Sequence, residues 1–136
     1  MTKKGIVMMK NENYVMTSSL EDYLEAVFVL SAQKSNVRIT DIAEFLGVSK
    51  PSVNRAVNTL KQNGFLEHET YGDIKITPAG ESYAANVLRR HKLIKQFLID
   101  KLGVSEDVAE HDACQMEHVM SPTTIDKLYD YLERQG

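Results

Sequence analysis

Thr40-Asp-Ile-Ala-Glu-Phe-Leu-Gly47-Val-Ser49-Lys-Pro51-Ser-Val-Asn-Arg55-Ala-Val-Asn-Thr-Leu60-Lys61 holds two helix starts separated by one glycine. Thr40 is a helix-capping residue type, which predicts a short helix over Asp41–Leu46. Gly47 supplies a tight turn, and Ser49 with Pro51 in the first turn starts another helix that runs to about Gln62. Ile42, Ala43, Leu46, Val48, Val53, Val57 and Leu60 then form the inward face, with Ala43 small enough for the two helices to cross closely. Lys50, Ser52, Asn54, Arg55, Asn58 and Lys61 are left facing outward.

Upstream, Ser18-Ser-Leu-Glu21 has the form of a capping box, and Leu20, Leu24, Val27 and Leu30, with Tyr23 and Phe28, follow at helical spacing to about Gln33. Downstream of Asn63-Gly64, Phe65-Leu-Glu-His-Glu69 and Ile74-Lys-Ile-Thr77 read as two short strands, joined through Thr70-Tyr-Gly72-Asp73. Three helices followed directly by a hairpin are expected to make a winged helix-turn-helix over residues 17–77. The outward residues of its third helix are short polar groups and cations, the types that meet base edges and phosphates in a major groove. Arg38 and Lys75 join them as candidate DNA contacts. A solvated helix would present a similar face, and the adjoining hairpin favours the DNA reading.

The rest of the chain is expected to be helical. Thr77-Pro78 opens a long helix whose stripe is Ala84, Val87, Leu88, Ile94 and Leu98, with His91 on it, and Gly103 closes it. Ser105 is placed to cap a fifth helix, and Ser121-Pro122 a sixth ending near Arg134 with Ile125, Leu128, Tyr129 and Leu132 inward. The fold class is therefore mainly α, a winged helix followed by a helical domain over residues 78–136. The first sixteen residues, with Lys3, Lys4 and Lys10, read as a disordered arm without a secretory signal.

In 136 residues with a net charge of −3 there is one cysteine, so no internal disulfide forms and a reducing cytoplasm is the expected compartment. No apolar run is long enough to cross a bilayer. The acidic total argues against a strongly basic nucleic-acid binder, yet residues 38–61 are locally basic.

His111-Asp-Ala-Cys114-Gln-Met-Glu117-His118 concentrates an imidazole, a thiol, a carboxylate and a second imidazole in eight residues. On a continuous helix they share one side, and mixed sulfur, nitrogen and oxygen donors suit a first-row transition ion better than calcium or magnesium. Singly, each residue is better explained by packing or solvation: a stripe histidine bonded to a carbonyl, or the surface acids Asp22 and Glu25 three apart on the first helix. A metal site explains these sets together.

Glu21-Asp22-Tyr23, the winged helix, Arg90-His91-Lys92-Leu93 and Cys114-Gln-Met-Glu117-His118-Val-Met-Ser together resemble the diphtheria toxin repressor family of metal-dependent transcriptional repressors, closest to its short manganese transport regulator branch. The resemblance covers nearly everything after Met16. It implies a homodimer that binds a palindromic operator when loaded with Mn(II) or Fe(II), one or two ions per chain. Asp22, Cys114, Glu117 and His118 are implied donors to one ion, with Glu25 and His91 serving a second. Ser49, Pro51, Ser52, Asn54 and Arg55 are the implied recognition positions. Asp22 matches the manganese branch and Cys114 the iron branch, where sulfur or only the backbone carbonyl binds. Lys95 stands where both branches tend to carry an acid, a place for which Glu110 or His111 is the available substitute. The chain stops before the additional C-terminal domain of the iron branch. Two other readings are a zinc hydrolase built on Cys114-x-x-Glu117-His118 and a winged-helix regulator of an organic effector.

Overall fold

The computed structural model describes residues 16–69 and 72–135. The expected arm and the central Thr70-Tyr71 of the hairpin turn lie outside the described residues, apart from Met16. The chain divides between Glu81 and Ser82 into two compact units.

The first unit is built from α1 (Ser18–Gln33), α2 (Ile39–Leu46), α3 (Lys50–Gln62), β1 (Leu66–His68) and β2 (Ile74–Ile76), and α4 (Pro78–Asp100) begins in it. The expected Ser18 cap is displaced by one residue. Thr17 is the N-cap, its hydroxyl accepting from the Leu20 N–H at 3.1 Å, and Ser18 is already helical. A second cap also moves, from Thr40 to Arg38, because the Asp41 carboxylate reaches back to the Arg38 N–H at 2.9 Å and starts α2 at Ile39. Gly47 ends α2 in the left-handed region at φ +69°, where a β-carbon is strained, and Ser49 caps α3 by accepting from the Ser52 N–H at 3.3 Å.

Leu24, Ala26, Val27 and Leu30 of α1, Ile42 and Ala43 of α2, and Val53, Ala56, Val57 and Leu60 of α3 are buried together. Val48, expected inward, is 38% exposed. It lies in the turn between helices, whose direction is set by Gly47 and not by helical period.

The hairpin is antiparallel, pairing Leu66 with Ile76, Glu67 with Lys75 and His68 with Ile74. Val37, buried before α2, adds an isolated bridge to Ile74, accepting its N–H at 2.8 Å. That pairing was not foreseen, since a single bridging residue has no periodicity to read. Thr77 then joins wing to helix: its hydroxyl donates to the Gly64 carbonyl at 2.7 Å and accepts from the Gly80 N–H at 3.0 Å. Gly80 is required by space: an added Cβ would sit 2.2 Å from the Phe65 carbonyl oxygen and 2.8 Å from Ile76.

The second unit holds most of α4, then α5 (Glu106–Met116) and α6 (Pro122–Gln135). Its core is Ile94, Leu98, Ala109, Ala113 and Ile125, flanked by Leu93, Phe97, Ile99, Val104, Met116, Met120 and Leu128. Two alanines on the buried side of α5 let it pack closely on α4. Tyr129, expected inward on α6, is 39% exposed, with the Arg89 guanidinium 5.0 Å from its ring centroid. No helix of the described residues is long and apolar enough to cross a membrane.

Candidate metal centre and nucleic-acid interface

The proposed DNA-reading face is the exposed side of α3. Lys50, Pro51, Asn54, Arg55, Asn58 and Lys61 are exposed there, Ser52 is half-buried, and Ser49 lies exposed at the cap. The Ser49, Ser52 and Arg55 side chains form a chain of hydrogen bonds: Ser49 Oγ donates to Ser52 Oγ at 2.9 Å, and the Arg55 guanidinium donates to the same Ser52 oxygen at 3.2 Å. Such a chain preorganises the guanidinium at the start of the helix that would enter a groove.

Lys61 has a different engagement. Its ammonium donates to the His68 carbonyl at 2.9 Å, tying the end of α3 to the wing. Arg38 places Nε 3.6 Å from Asp73 Oδ1, while Lys75 projects exposed from β2.

In the second unit, donor side chains gather around His91. Its Nδ1 lies 2.7 Å from Oε1 of Glu117 and its Nε2 3.1 Å from Glu110. The other oxygen of Glu117 lies 3.4 Å from Nε2 of His118. Glu117 is 1% exposed, so its carboxylate is a buried acid with an imidazole at each oxygen. A neutral imidazole donates from one nitrogen only, so a histidine facing two carboxylates needs a second proton or a cation in its place. The donor set therefore fits a divalent cation, whose charge would satisfy the buried carboxylate.

The helical backbone expected for this segment extends to Glu117 and gives way to a turn at His118. α5 ends at Met116, Glu117 is its C-cap, and His118 lies in the following turn. Glu117 keeps helical backbone, its N–H donating to the Ala113 carbonyl at 2.9 Å, and follows Ala109 and Ala113 at four-residue steps onto the buried side of α5, while Cys114 and His111 are exposed. Ligand atoms of His91, Glu110 and Cys114 lie within 4.8 Å of one another, and His111 is not in that group. Glu110 was foreseen only as a substitute ligand. Its distance from His91 in sequence, nineteen residues, gives no spacing signal.

Glu110 also accepts from the Lys95 ammonium at 3.0 Å, and Lys95 lies 3.3 Å from Glu106. Lys95 first, then His91, holds the Glu110 carboxyl below its ordinary value, and Lys95 is correspondingly raised, chiefly by Glu110. In the first unit, Asp22 is exposed and Glu25 half-buried on α1, three residues apart. Glu21, which the sequence presented only as a capping acid, is buried at 6% exposure.

A winged helix-turn-helix and a helical unit with clustered imidazole and carboxylate donors define a metal-responsive DNA-binding regulator. Residues 15–74 match the N-terminal DNA binding domain of the iron dependent repressors, and residues 77–135 match their metal binding and dimerisation domain. The chain belongs to the iron dependent repressor family, that of the diphtheria toxin repressor, whose members are metal-dependent DNA-binding repressors and not enzymes.

The chain is 37% identical to the HTH-type transcriptional regulator MntR of Lysinibacillus sphaericus over 117 residues, 86% of this chain and 84% of the relative. Among solved structures, the manganese regulator SloR superposes with a TM-score of 0.75 at 28% identity, over 84% of this chain and 53% of that one. A manganese-dependent transcriptional repressor in complex with manganese gives 0.74 at 27% identity, over 84% and 52%. The chain thus spans about half the length of these structural neighbours.

Proposed function

We propose that this chain is a homodimeric transcriptional repressor of the cytoplasm that uses Mn(II) as its effector and binds a palindromic operator. The observation that carries the reading is the buried Glu117 carboxylate bracketed by His91 and His118. A buried acid between two imidazoles is a place for a cation, and in a family of metal-dependent repressors that cation is the signal. Support for manganese over iron comes from the carboxylates Asp22 and Glu25, which are hard donors, and from relatives described as manganese regulators.

By the sequence resemblance, Asp22, Cys114, Glu117 and His118 are donors to one ion, and Glu25 and His91 serve a second. A bound ion would supply positive charge to the Asp22, Glu25 and Glu117 carboxylates that the resemblance assigns to it. Residues of the winged helix do the rest. Ser49, Lys50, Pro51, Ser52, Asn54, Arg55 and Asn58 face the groove, while Arg38, Lys61 and Lys75 flank it. A dimer sets the spacing of two such helices against half-sites about one or more DNA turns apart. Exposed Leu102, Val108 and Tyr131 on the second unit supply apolar area for that dimer.

The test is operator binding by fluorescence anisotropy with Mn(II) and with excess chelator. A coupling of roughly 1–3 kcal/mol would change affinity about 5- to 150-fold. Equal affinity in both conditions would refute the metal switch. Asp22→Ala should abolish the difference while leaving the far-UV circular dichroism intact.

A further inference from the structure

We infer that Asp73 is a positioning residue for DNA binding: with Asn36, it orients the Arg38 guanidinium to clasp a backbone phosphate beside the wing. The inference rests on the reading of this chain as a DNA-binding repressor and deepens it. Backbone geometry places the three side chains together. Val37 accepts the Ile74 N–H at 2.8 Å, and both bridging residues are buried. Side chains alternate along extended chain, so the neighbours of this buried pair turn outward, Asn36 and Arg38 on one segment and Asp73 on the other.

Each oxygen of Asp73 faces a different group. The Asn36 amide donates to Oδ2 at 3.1 Å and to the Ser35 carbonyl at 3.2 Å. Arg38 Nε lies 3.6 Å from Oδ1, an ion pair too long for a hydrogen bond. The carboxylate therefore orients the guanidinium by charge and leaves its planar fork for another ligand. The Arg38 side chain is 59% exposed and that of Asp73 25%, so the acid lies behind the cation. Asp41 does not compete for the guanidinium, because Lys34 Nζ at 3.0 Å and the Arg38 backbone N–H at 2.9 Å engage its two oxygens. A guanidinium held on one side and open on the other, on a DNA-binding unit, fits a phosphodiester met bidentately. Orienting it beforehand lowers the rotamer entropy lost on binding. An acid near DNA otherwise repels phosphate, so deleting Asp73 ought to tighten binding on charge alone. Positioning predicts the opposite sign.

The test measures the affinity of the full chain, with Mn(II) present, for a mixed-sequence DNA duplex by fluorescence anisotropy across a salt series. Phosphate contacts do not depend on sequence, so an operator is not needed. Arg38→Ala should weaken binding about fivefold at low salt and lower the salt slope by about 1. Asp73→Asn should weaken it about two- to fivefold, the scale of an exposed ion pair, and Asn36→Ala should act in the same direction by less. In the Arg38→Ala background, Asp73→Asn should leave affinity unchanged or raise it, because the group it positions is gone. Asp73→Ser is a second variant should Asp73→Asn fold poorly.

Equal or tighter binding by Asp73→Asn in the otherwise wild-type chain would overturn the proposal and show that the acid competes with phosphate for Arg38. Weakening that persists in the Arg38→Ala background would overturn it as well, assigning Asp73 to support of the wing alone. If Arg38→Ala leaves affinity and slope unchanged, Arg38 meets no phosphate and the proposal falls. Failure of the manganese reading is separately visible as chelator-insensitive operator binding.

Discussion

Nδ1 of His91, on α4, lies 2.7 Å from Oε1 of Glu117, just past the end of α5, and this contact joins a half-buried base to a buried acid. The C-terminal end of α5 is thereby fixed to the middle of α4. A hydrogen bond to a charged group contributes more than a neutral one.

His91→Ala is therefore expected to destabilise the chelator-treated protein by about 1–3 kcal/mol. Urea denaturation followed by circular dichroism checks it. A midpoint equal to wild type would show that the contact contributes nothing to the metal-free fold.

Two glycines are needed for different reasons, and their substitutions separate those reasons. At Gly47, φ is +69° and an added Cβ meets nothing within 4 Å, so Gly47→Ala suffers only the left-handed backbone, a loss of about 1–2 kcal/mol. At Gly80 the new Cβ would lie 2.2 Å from the Phe65 carbonyl oxygen, and backbone has to move. Gly80→Ala should cost at least as much, roughly 1–3 kcal/mol or more, and shift amide resonances of the wing that Gly47→Ala leaves in place.

Cations around α3 should divide by role. Arg55, held by Ser52, is expected to read bases: Arg55→Ala should weaken operator binding by about 1–3 kcal/mol and relax sequence preference. Lys75→Ala should weaken specific and non-specific DNA alike and lower the salt slope by about 1. Lys61→Met should loosen the hairpin, because its ammonium is engaged by the His68 carbonyl; faster hydrogen exchange in β1 is the readout.

Asp41 sets an acid limb of stability. The Lys34 ammonium, and then the Arg38 N–H, hold its carboxyl below the model-compound value of 3.8. The stabilisation from its ionised form is thus present above 3.8 and is lost as pH falls through the lower folded-state value. Asp41→Asn should be about 1 kcal/mol less stable than wild type near neutrality, a gap that narrows in acid as the pH falls below 3.8. Denaturation curves at both pH values give the comparison.

The helix-turn-helix was legible because its signals are local: Gly47 for the turn, Ser49 and Pro51 for the start of α3, apolar period for the core. Cap positions were missed by one or two residues where a neighbour competed, Thr17 for Ser18 and Asp41 acting back on Arg38 for Thr40. His91, Glu117 and His118 were singled out by residue type, and the structure brings these three together. Residue types alone did not separate Glu117, which follows Ala109 and Ala113 onto the buried side of α5, from Cys114, which lies outside. Glu110 and Lys95 were also obscured as partners of one another, since the fourteen residues between them cross the Gly103 turn. No periodicity carries across a turn.

Ala109 and Ala113, both fully buried on α5, decide how near that helix stands to α4, and with it the bite of every donor the two helices carry. Methyl groups added on either would act as a shim. Ala113→Val is expected to spread the donors and shift preference toward cations of larger radius, with no ligand altered. On that expectation, the smallest side chains of the core would set the ionic size that the donors accept.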